Sequence, residues 1–397
     1  MKKDKNLLIV YPHLHIHLDD GAKHRLNSFI ETYHSAGYNV TVLALFALAS
    51  IPYINNKKLR HKNAKWLLFP SLPLFRSLFL QRLTIFYSQV LLFCITRLYN
   101  FELIQAEHAF GGKICKFYSK KKSKLIVDFH GDSVDETLFV KPKINDHNWR
   151  IKTLKIAIRT SIDISDFIIV ISQNLIDVLQ NRINQKITNY CIIPCNADID
   201  RFNVERFASE YSNKLVLGYL GGLNKWQNLP IILKITNELR LIEKNIFFLL
   251  LTNSSTELIK NELEILGKDN YAVLSLTHNE VPEYLNKMDI SFLIRDNRPL
   301  NIVSSPTKIS ESLAAGVPVV ATQYSGDINQ IVTHKKNGFI LNDTNISKED
   351  FEELLKYIRS VKQERKKYSI LCKNSVKNRT WNKYSEDLLL KINSICK

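Results

Sequence analysis

No CxxC pair and no Cys/His spacing suited to zinc occurs among the six cysteines, Cys94, Cys115, Cys191, Cys195, Cys372 and Cys396. That scatter excludes a disulfide framework and a zinc module, so reduced and mostly buried thiols are expected. A signal sequence is also lacking. The apolar run Leu7 to Val10 breaks at Tyr11-Pro12-His13, too short for a leader, and a cytoplasmic location is expected. The longest apolar stretch, Leu72 to Tyr99, is interrupted by Arg76, Gln81, Arg82, Gln89 and Arg97, which leaves it short of the roughly 20 apolar residues of a spanning helix. It reads as one long helix, either packed into a core or resting on a membrane surface through its Phe, Leu and Arg side chains. No short repeat and no low-complexity tract is present. A basic helix with interleaved aromatics, the mark of many nucleic-acid binders, is missing as well.

Acidic residues are outnumbered, 38 against 55 Lys and Arg, for a formal net charge of +17. Such a surplus concentrates polyanions at long range. The basic residues are nevertheless spread along the chain, with one dense cluster at Lys113, Lys116, Lys120, Lys121, Lys122 and Lys124 that reads as a solvated helix-and-turn face.

What the chain does contain is a rhythm. Its 397 residues exceed a single typical core, and two domains are expected. Apolar, β-branched runs at Leu7 to Tyr11, Val40 to Leu45, Trp66 to Phe69, Leu103 to Ala106, Leu125 to Phe129 and Phe167 to Ile171 alternate with helical spacing, as in Lys23 to Ser35 and Trp149 to Ile162. The run Asn189 to Ile193 ends at Pro194, where a linker is placed. The pattern restarts with strands at Lys214 to Leu220, Ile246 to Leu251, Tyr271 to Leu276 and Ile290 to Ile294, separated by helices at Leu229 to Ile242, Ser255 to Leu266 and Val281 to Met288. The expected fold class is therefore α/β, with two doubly wound Rossmann-like domains facing across a cleft. Residues 1–195 make the first domain, 196–380 the second, and a final helix within 381–397 can return to the first. Open α/β sheets bind ligands beyond the carboxyl ends of their strands.

Two motifs follow strands of the second half. Ser304-Ser305-Pro306-Thr307-Lys308-Ile309-Ser310-Glu311 precedes Leu313 to Val317 and the apolar run up to Ala321. Ser305 suits an N-cap, Pro306 suits the first helical position, and Gly316 with Pro318 closes the helix. Lys308 and Glu311 share a face. Free N–H groups, the helix dipole and Lys308 together suit a phosphate or diphosphate, with Glu311 left to accept hydroxyl hydrogen bonds; a capped helix with a solvated Lys and Glu has the same spacing. Earlier, Gly218 to Gln227 carries Gly221 and Gly222, which allow close backbone approach, and Lys225, a point charge for phosphate.

Together these residues resemble the retaining nucleotide-sugar glycosyltransferases of family four, the two-domain GT-B type. Pro194-Cys195-Asn196-Ala197-Asp198-Ile199-Asp200-Arg201-Phe202 resembles the family's interdomain Pro…Asp…Phe segment, and Val281 to Ile290 resembles the helix-to-strand step before its donor site. The Gly-Lys-Trp type of turn and the pattern of Arg295, Asn301, Ser305, Pro306, Lys308 and Glu311 are similar to enzymes of surface polysaccharide (lipopolysaccharide or capsule) assembly. The resemblance implies donor binding in the second domain through Gly221, Gly222, Lys225, Asn301, Ser305, Thr307 and Glu311. It implies Arg295 and Lys308 at the leaving phosphate, with His130 as the third catalytic residue. It also implies retention of configuration, no metal and no cofactor beyond the nucleotide-diphosphate sugar substrate. Two departures stand out: the family's Glu eight residues before Glu311 is Val303, and its frequent Arg after the first Gly of the turn is Gly222.

The first half matches less closely. Asp128-Phe129-His130-Gly131 with Glu136 resembles the family's loop facing the donor sugar, and Asp128 and Glu136 are expected on the acceptor side with His17, Asp20 and Gly21. The loop bearing His13, His15, His17, Asp19 and Asp20 reads as acceptor contact or surface polarity rather than a metal site. The resemblance implies a glycan or lipid-linked glycan acceptor, peripheral contact with an anionic membrane at its inner face, and no nucleic-acid partner. A nucleotide-sugar epimerase and a non-catalytic sugar-nucleotide-binding protein are the alternatives. The first needs a carboxylate pair that the sequence does not display; the second is suggested by Val303 and Gly222.

Overall fold

The computed structural model describes residues 5–15, 21–72, 76–117, 123–141, 143–144, 148–195, 198–202, 210–277 and 279–396. The chain divides into one unit of Met1–Cys195 with Tyr384–Lys397 and a second of Asn196–Lys383.

The first unit is built on seven parallel strands, β1 (Lys5–Leu14), β2 (Tyr38–Ala47), β3 (Ala64–Ser71), β4 (Leu103–Glu107), β5 (Lys124–Phe129), β6 (Phe167–Val170) and β7 (Tyr190–Ile192), in the order β3-β2-β1-β4-β5-β6-β7. Sheets covered by helices on both faces need strands that are apolar throughout. Leu7, Leu8, Ile9 and Val10 of β1 are accordingly fully buried, as are Ile168, Ile169 and Val170 of β6. The order reverses between β1 and β4, which places the ligand-binding crevice of this fold type at the carboxyl ends of those two strands.

Helices here start and stop on local chemistry. The helix Leu78–Leu98 begins where Ser77 accepts the Leu80 N–H at 3.2 Å, so the expected single helix from Leu72 is shorter at its start. Ser172 caps Gln173–Ile183, which ends on Asn184 in the left-handed region. Of the C-terminal helix Trp381–Cys396, the residues from Tyr384 onward belong to the first unit, where Lys391 Nζ donates to Tyr190 O at 3.0 Å.

The second unit has six parallel strands, β8 (Leu215–Leu220), β9 (Ile246–Leu251), β10 (Tyr271–Leu274), β11 (Ile290–Leu293), β12 (Val319–Thr322) and β13 (Gly338–Leu341), in the order β10-β9-β8-β11-β12-β13. Its reversal lies between β8 and β11. One apolar cluster packs the strands against Leu229–Ile242 and Lys348–Gln363, and another packs them against Thr307–Ala314 and Arg365–Val376. The expected helix at Ser255 to Leu266 is a 3-10 turn, Glu257–Ile259, followed by Lys260–Leu266.

Close packing in the first unit depends on Gly112, where the helix His108–Ile114 meets Trp149–Ile164. A Cβ built there would lie 2.1 Å from Ser161 Oγ and 3.1 Å from Ser161 Cα. Gly112→Ala should therefore lower stability by about 1–3 kcal/mol, whereas Gly21→Ala, whose Cβ meets nothing within 4 Å, should be nearly neutral. Thermal denaturation of both variants checks this, and equal midpoints would contradict the close helix crossing.

Candidate active site

In the second unit, the carboxyl ends of β8 and β11 and the helix Thr307–Ala314 gather the charged residues. Gly221 follows β8 with φ +127°, a backbone that favours glycine, and a Cβ there would lie 2.3 Å from Lys308 Nζ. Glycine thus lets the lysine run alongside the main chain. Lys308 Nζ donates to Tyr219 Oη at 2.9 Å and to Gln227 Oε1 at 3.0 Å, and lies 4.8 Å from the Tyr219 ring centre. Tyr219 Oη is itself held 2.7 Å from Gly222 O.

Arg295, just beyond β11 and 5% exposed, donates through Nη1 to Trp226 O at 2.8 Å, while its Nε is buried without a partner among the described residues. Thr322 of β12 fixes its backbone, accepting the Arg295 N–H at 2.9 Å and donating to Arg295 O at 2.7 Å. Neither cation forms an ion pair among the described residues. Burial and then the nearby Arg295 push the Lys308 ammonium down to about 7, partly offset by Glu311. Burial likewise lowers Arg295 to about 10, against the pull of Tyr219 and Asp296. Burial raises the Glu311 carboxyl to about 7, opposed by Lys308 and Arg201.

Other expected donor residues divide. Lys225 is exposed on the 3-10 turn Lys225–Gln227, and Thr307 opens its helix half-buried. Asn301 is buried, with Nδ2 on Asp296 O at 3.0 Å and Oδ1 without a partner among the described residues. Ser305 is not the expected N-cap. Pro306 takes the cap position without a side-chain bond, and Ser305 Oγ instead donates to Asp327 at 3.1 Å and accepts from Arg379 at 2.9 Å, inside a buried triad closed by the Arg379–Asp327 pair. The carboxylate wins because it can pair with both the hydroxyl and the guanidinium. Val303, in place of the family's Glu, is 1% exposed and packed.

In the first unit, His130 follows β5 and joins a buried relay. Its Nε2 lies 2.6 Å from Asp128 Oδ2 and 2.9 Å from Glu107 Oε2. Arg25 grips Asp128 with two hydrogen bonds, Nε to Oδ2 at 2.7 Å and Nη2 to Oδ1 at 2.8 Å, and holds Ile193 O at 2.8 Å. Gln105 Nε2 donates to Glu107 Oε1 at 2.6 Å and is bonded in turn to Tyr33. Burial alone would lower His130, but Asp128 and Glu107 outweigh it and raise the imidazole to about 9. Asp128 is correspondingly held well below the carboxylate range by Arg25 and His130, against the upward effect of its burial.

Beside it, the His108 ring centre is 4.2 Å from that of His130, on a backbone with φ +59°. Burial and the neighbouring His130 lower His108 to about 3. The pair therefore presents one imidazolium and one neutral imidazole. Glu107, Asp128 and His130 bring three ligand-type atoms within 4.8 Å. Two carboxylates face two cations, Arg25 and His130, so the charges balance without a further ion.

Asp128, expected at the acceptor, is 0% exposed and cannot touch one; it fixes His130. Glu136 lies exposed in the first turn of Ser133–Val140, and Gly21 opens the helix Gly21–Ser35. His17 and Asp20 lie outside the described residues. Sequence reasoning missed Arg25, Gln105, Glu107 and His108. Their signals were a charged Arg25 in line with Phe29 and Tyr33 on an apolar helix face, and Gln105 and Glu107 alternating within the apolar strand β4.

Residues 214–360 match the family model for glycosyl transferases group 1. The chain has the GT-B fold, and the segment of its second unit that matches is similar to group 1 glycosyl transferases. Solved structures with the same fold include sucrose-phosphate synthase from Thermosynechococcus elongatus, at 13% identity and TM-score 0.74, covering 98% of this chain and 99% of that one. Anabaena HepE, solved with UDP and glucose, aligns at 14% identity and TM-score 0.69 over 98% of this chain and 100% of its own. WaaG, a glycosyltransferase involved in lipopolysaccharide biosynthesis, aligns at 14% identity and TM-score 0.67 over 97% and 98%. No curated protein is matched. The matched segment holds Lys308, Arg295 and Glu311, and it opens at β8, where the Gly221 turn begins.

A pH titration checks the relay. His130 is raised above the ordinary imidazole value of 6.5, so its stabilisation is complete below that pH and is lost as pH rises through about 9. The stability that the parent holds over His130→Gln should thus be full below 6.5 and shrink as pH rises to about 9; the difference is the quantity to read, because Lys308, lowered to about 7, gives the parent an opposing slope in the same window. A difference that stays constant across this window would contradict a charged His130.

Proposed function

We propose that the chain is a retaining glycosyltransferase that moves a sugar from a nucleotide-sugar donor to a glycan or lipid-linked glycan acceptor of bacterial surface polysaccharide, on the cytoplasmic side of the membrane. The observation that carries this reading is the position of Lys308: half-buried beside the Gly221 backbone, at the start of a helix, near Arg295, and bonded among the described residues to neutral oxygens. Such a cation is compensated best by an incoming anion. A nucleotide diphosphate supplies one, and charge grows on it as the sugar departs. Preorganised donors aimed at that developing charge lower the barrier by a few kcal/mol each.

Arg295, through its buried and unpartnered Nε, and the first N–H groups of Thr307–Ala314 add to that field. Glu311 accepts from ribose hydroxyls. His130, held charged by Asp128 and Glu107, binds and orients sugar oxygens rather than removing a proton, because an imidazolium has no free lone pair. A donor phosphate oxygen is then the group that takes the acceptor hydroxyl proton on the face the leaving group has just left, which gives retention. Charge neutralisation by Lys308 and Arg295 does the work that a divalent ion does elsewhere.

A panel of UDP, GDP, CDP and their sugar conjugates tests the donor assignment, since a ligand of the folded state raises the thermal midpoint. UDP heads the panel because HepE was solved with it. One nucleotide is expected to raise the midpoint, and Lys308→Met should abolish that rise and cut turnover by about a hundredfold or more. No shift with any nucleotide would contradict the reading. An inverted anomeric centre in the product would contradict retention.

A further inference from the structure

The helix Leu78–Leu98 is built inside out. Its buried positions include Gln81, Thr84 and Ser88 beside Ile85, Leu92 and Ile95. The hydroxyls there are satisfied by the helix itself, Thr84 Oγ1 on Leu80 O at 2.9 Å and Ser88 Oγ on Thr84 O at 2.7 Å. Most of the outward positions are apolar. Phe79 (72% exposed), Leu83, Phe86 (65%), Val90 and Phe93 (54%) recur at alternating spacings of four and three, which puts them in a single stripe about 20 Å long. Phe117, at the end of the adjacent turn Cys115–Phe117, is 71% exposed as well.

Cations frame this stripe. Arg82 and Arg97 are exposed on the helix, and Arg97 lies 5.0 Å from the Phe93 ring centre. Lys113 and Lys116 stand on the neighbouring helix and turn, and Lys113 is lowered by burial and by the proximity of Lys116 and Arg82. The helix itself has no Asp or Glu.

We propose that this face is a lipid-docking surface by which the first unit lies on an anionic membrane, Phe79, Leu83, Phe86, Val90 and Phe93 entering the acyl boundary while Arg82, Arg97 and Lys116 meet the headgroups. Contrary to the expectation from its interrupting polar residues, the helix is long and apolar enough by length and composition to cross a membrane, but its other face is packed into the unit, which leaves it to lie in the interface plane. A second copy of the chain fits less well. It would set the same arginines against one another with no carboxylate on either helix to pair them, whereas an anionic bilayer neutralises them and buries the aromatic rings. The inference is independent of sugar transfer, because membrane binding is read without donor or acceptor.

Co-sedimentation of the full chain with vesicles tests it, using phosphatidylcholine alone and three parts phosphatidylcholine to one of phosphatidylglycerol. The parent is expected to bind the anionic vesicles and to be released by salt. The double variant Phe86→Ser/Phe93→Ser should lower the partition coefficient about tenfold or more. Arg82→Glu/Arg97→Glu should remove the preference for the anionic lipid. Both pairs are exposed, so the thermal midpoint should match the parent's. Failure of the parent to bind, or unchanged binding by the serine variant, overturns the proposal. A concentration-dependent dimer broken by the serine substitutions, without vesicle binding, would assign the face to a second copy instead.

Discussion

Burying a cation costs far more than burying an apolar side chain unless a counter-charge travels with it, and the two units resolve that constraint in opposite ways. In the first, Arg25 and His130 meet Asp128 and Glu107 at hydrogen-bond distance, and the group is neutral as it stands. In the second, Lys308 and Arg295 are covered by a tyrosine oxygen, an amide oxygen and a main-chain carbonyl, none of which carries charge. The consequence shows in the titration behaviour. His130 is raised while Lys308 and Arg295 are lowered. A balanced group serves to orient, and an unbalanced one serves to attract an anion.

Topology explains why these groups lie where they do. Each sheet reverses its strand order once, between β1 and β4 and between β8 and β11, and the main chain leaving those strands diverges to opposite faces, opening space at their carboxyl ends. His13, Glu107, His108 and His130 follow or end β1, β4 and β5; Gly221, Arg295 and Thr322 do the same for β8, β11 and β12. His13 and His108 also adopt φ near +60°, a conformation uncommon for side-chain-bearing residues. Backbone of this kind tends to persist where surrounding contacts hold it, and at His108 the tilted ring of His130 and the edge-on contact with Tyr11 do so.

Much of this was legible in the sequence, for physical reasons. Strands buried on both faces must be apolar throughout, which makes runs such as Ile246 to Leu251 unambiguous, and the helix Leu229–Ile242 was bounded correctly by its turn residues and amphipathic spacing. The helix carrying Lys308 and Glu311 was visible because Pro306 and Gly316 punctuate it. Contacts between distant segments were not legible. Ser305 has the chemistry of a cap, yet Arg379 and Asp327, remote in sequence, claim its hydroxyl. Arg25 is 103 residues from Asp128, and no local pattern announces that pair. Gln105 and Glu107 alternate within an apolar strand, but only the fold shows that they point toward Tyr33 and His130.

The inward-polar helix Leu78–Leu98 was likewise half visible. Its composition favoured core packing and left surface contact as the alternative, because periodicity gives two stripes and does not say which one faces the sheet. The structure chooses the stripe containing Gln81, Thr84 and Ser88 for the interior.

The central claim is that Lys308 is a half-buried cation without an ion-pair partner among the described residues, placed to receive a diphosphate. Its most direct test is the ammonium pKa, followed by NMR on selectively labelled lysine with and without UDP. A value near 7 in the free protein, rising on binding, is the predicted result. An ordinary lysine value that UDP leaves unchanged would contradict it.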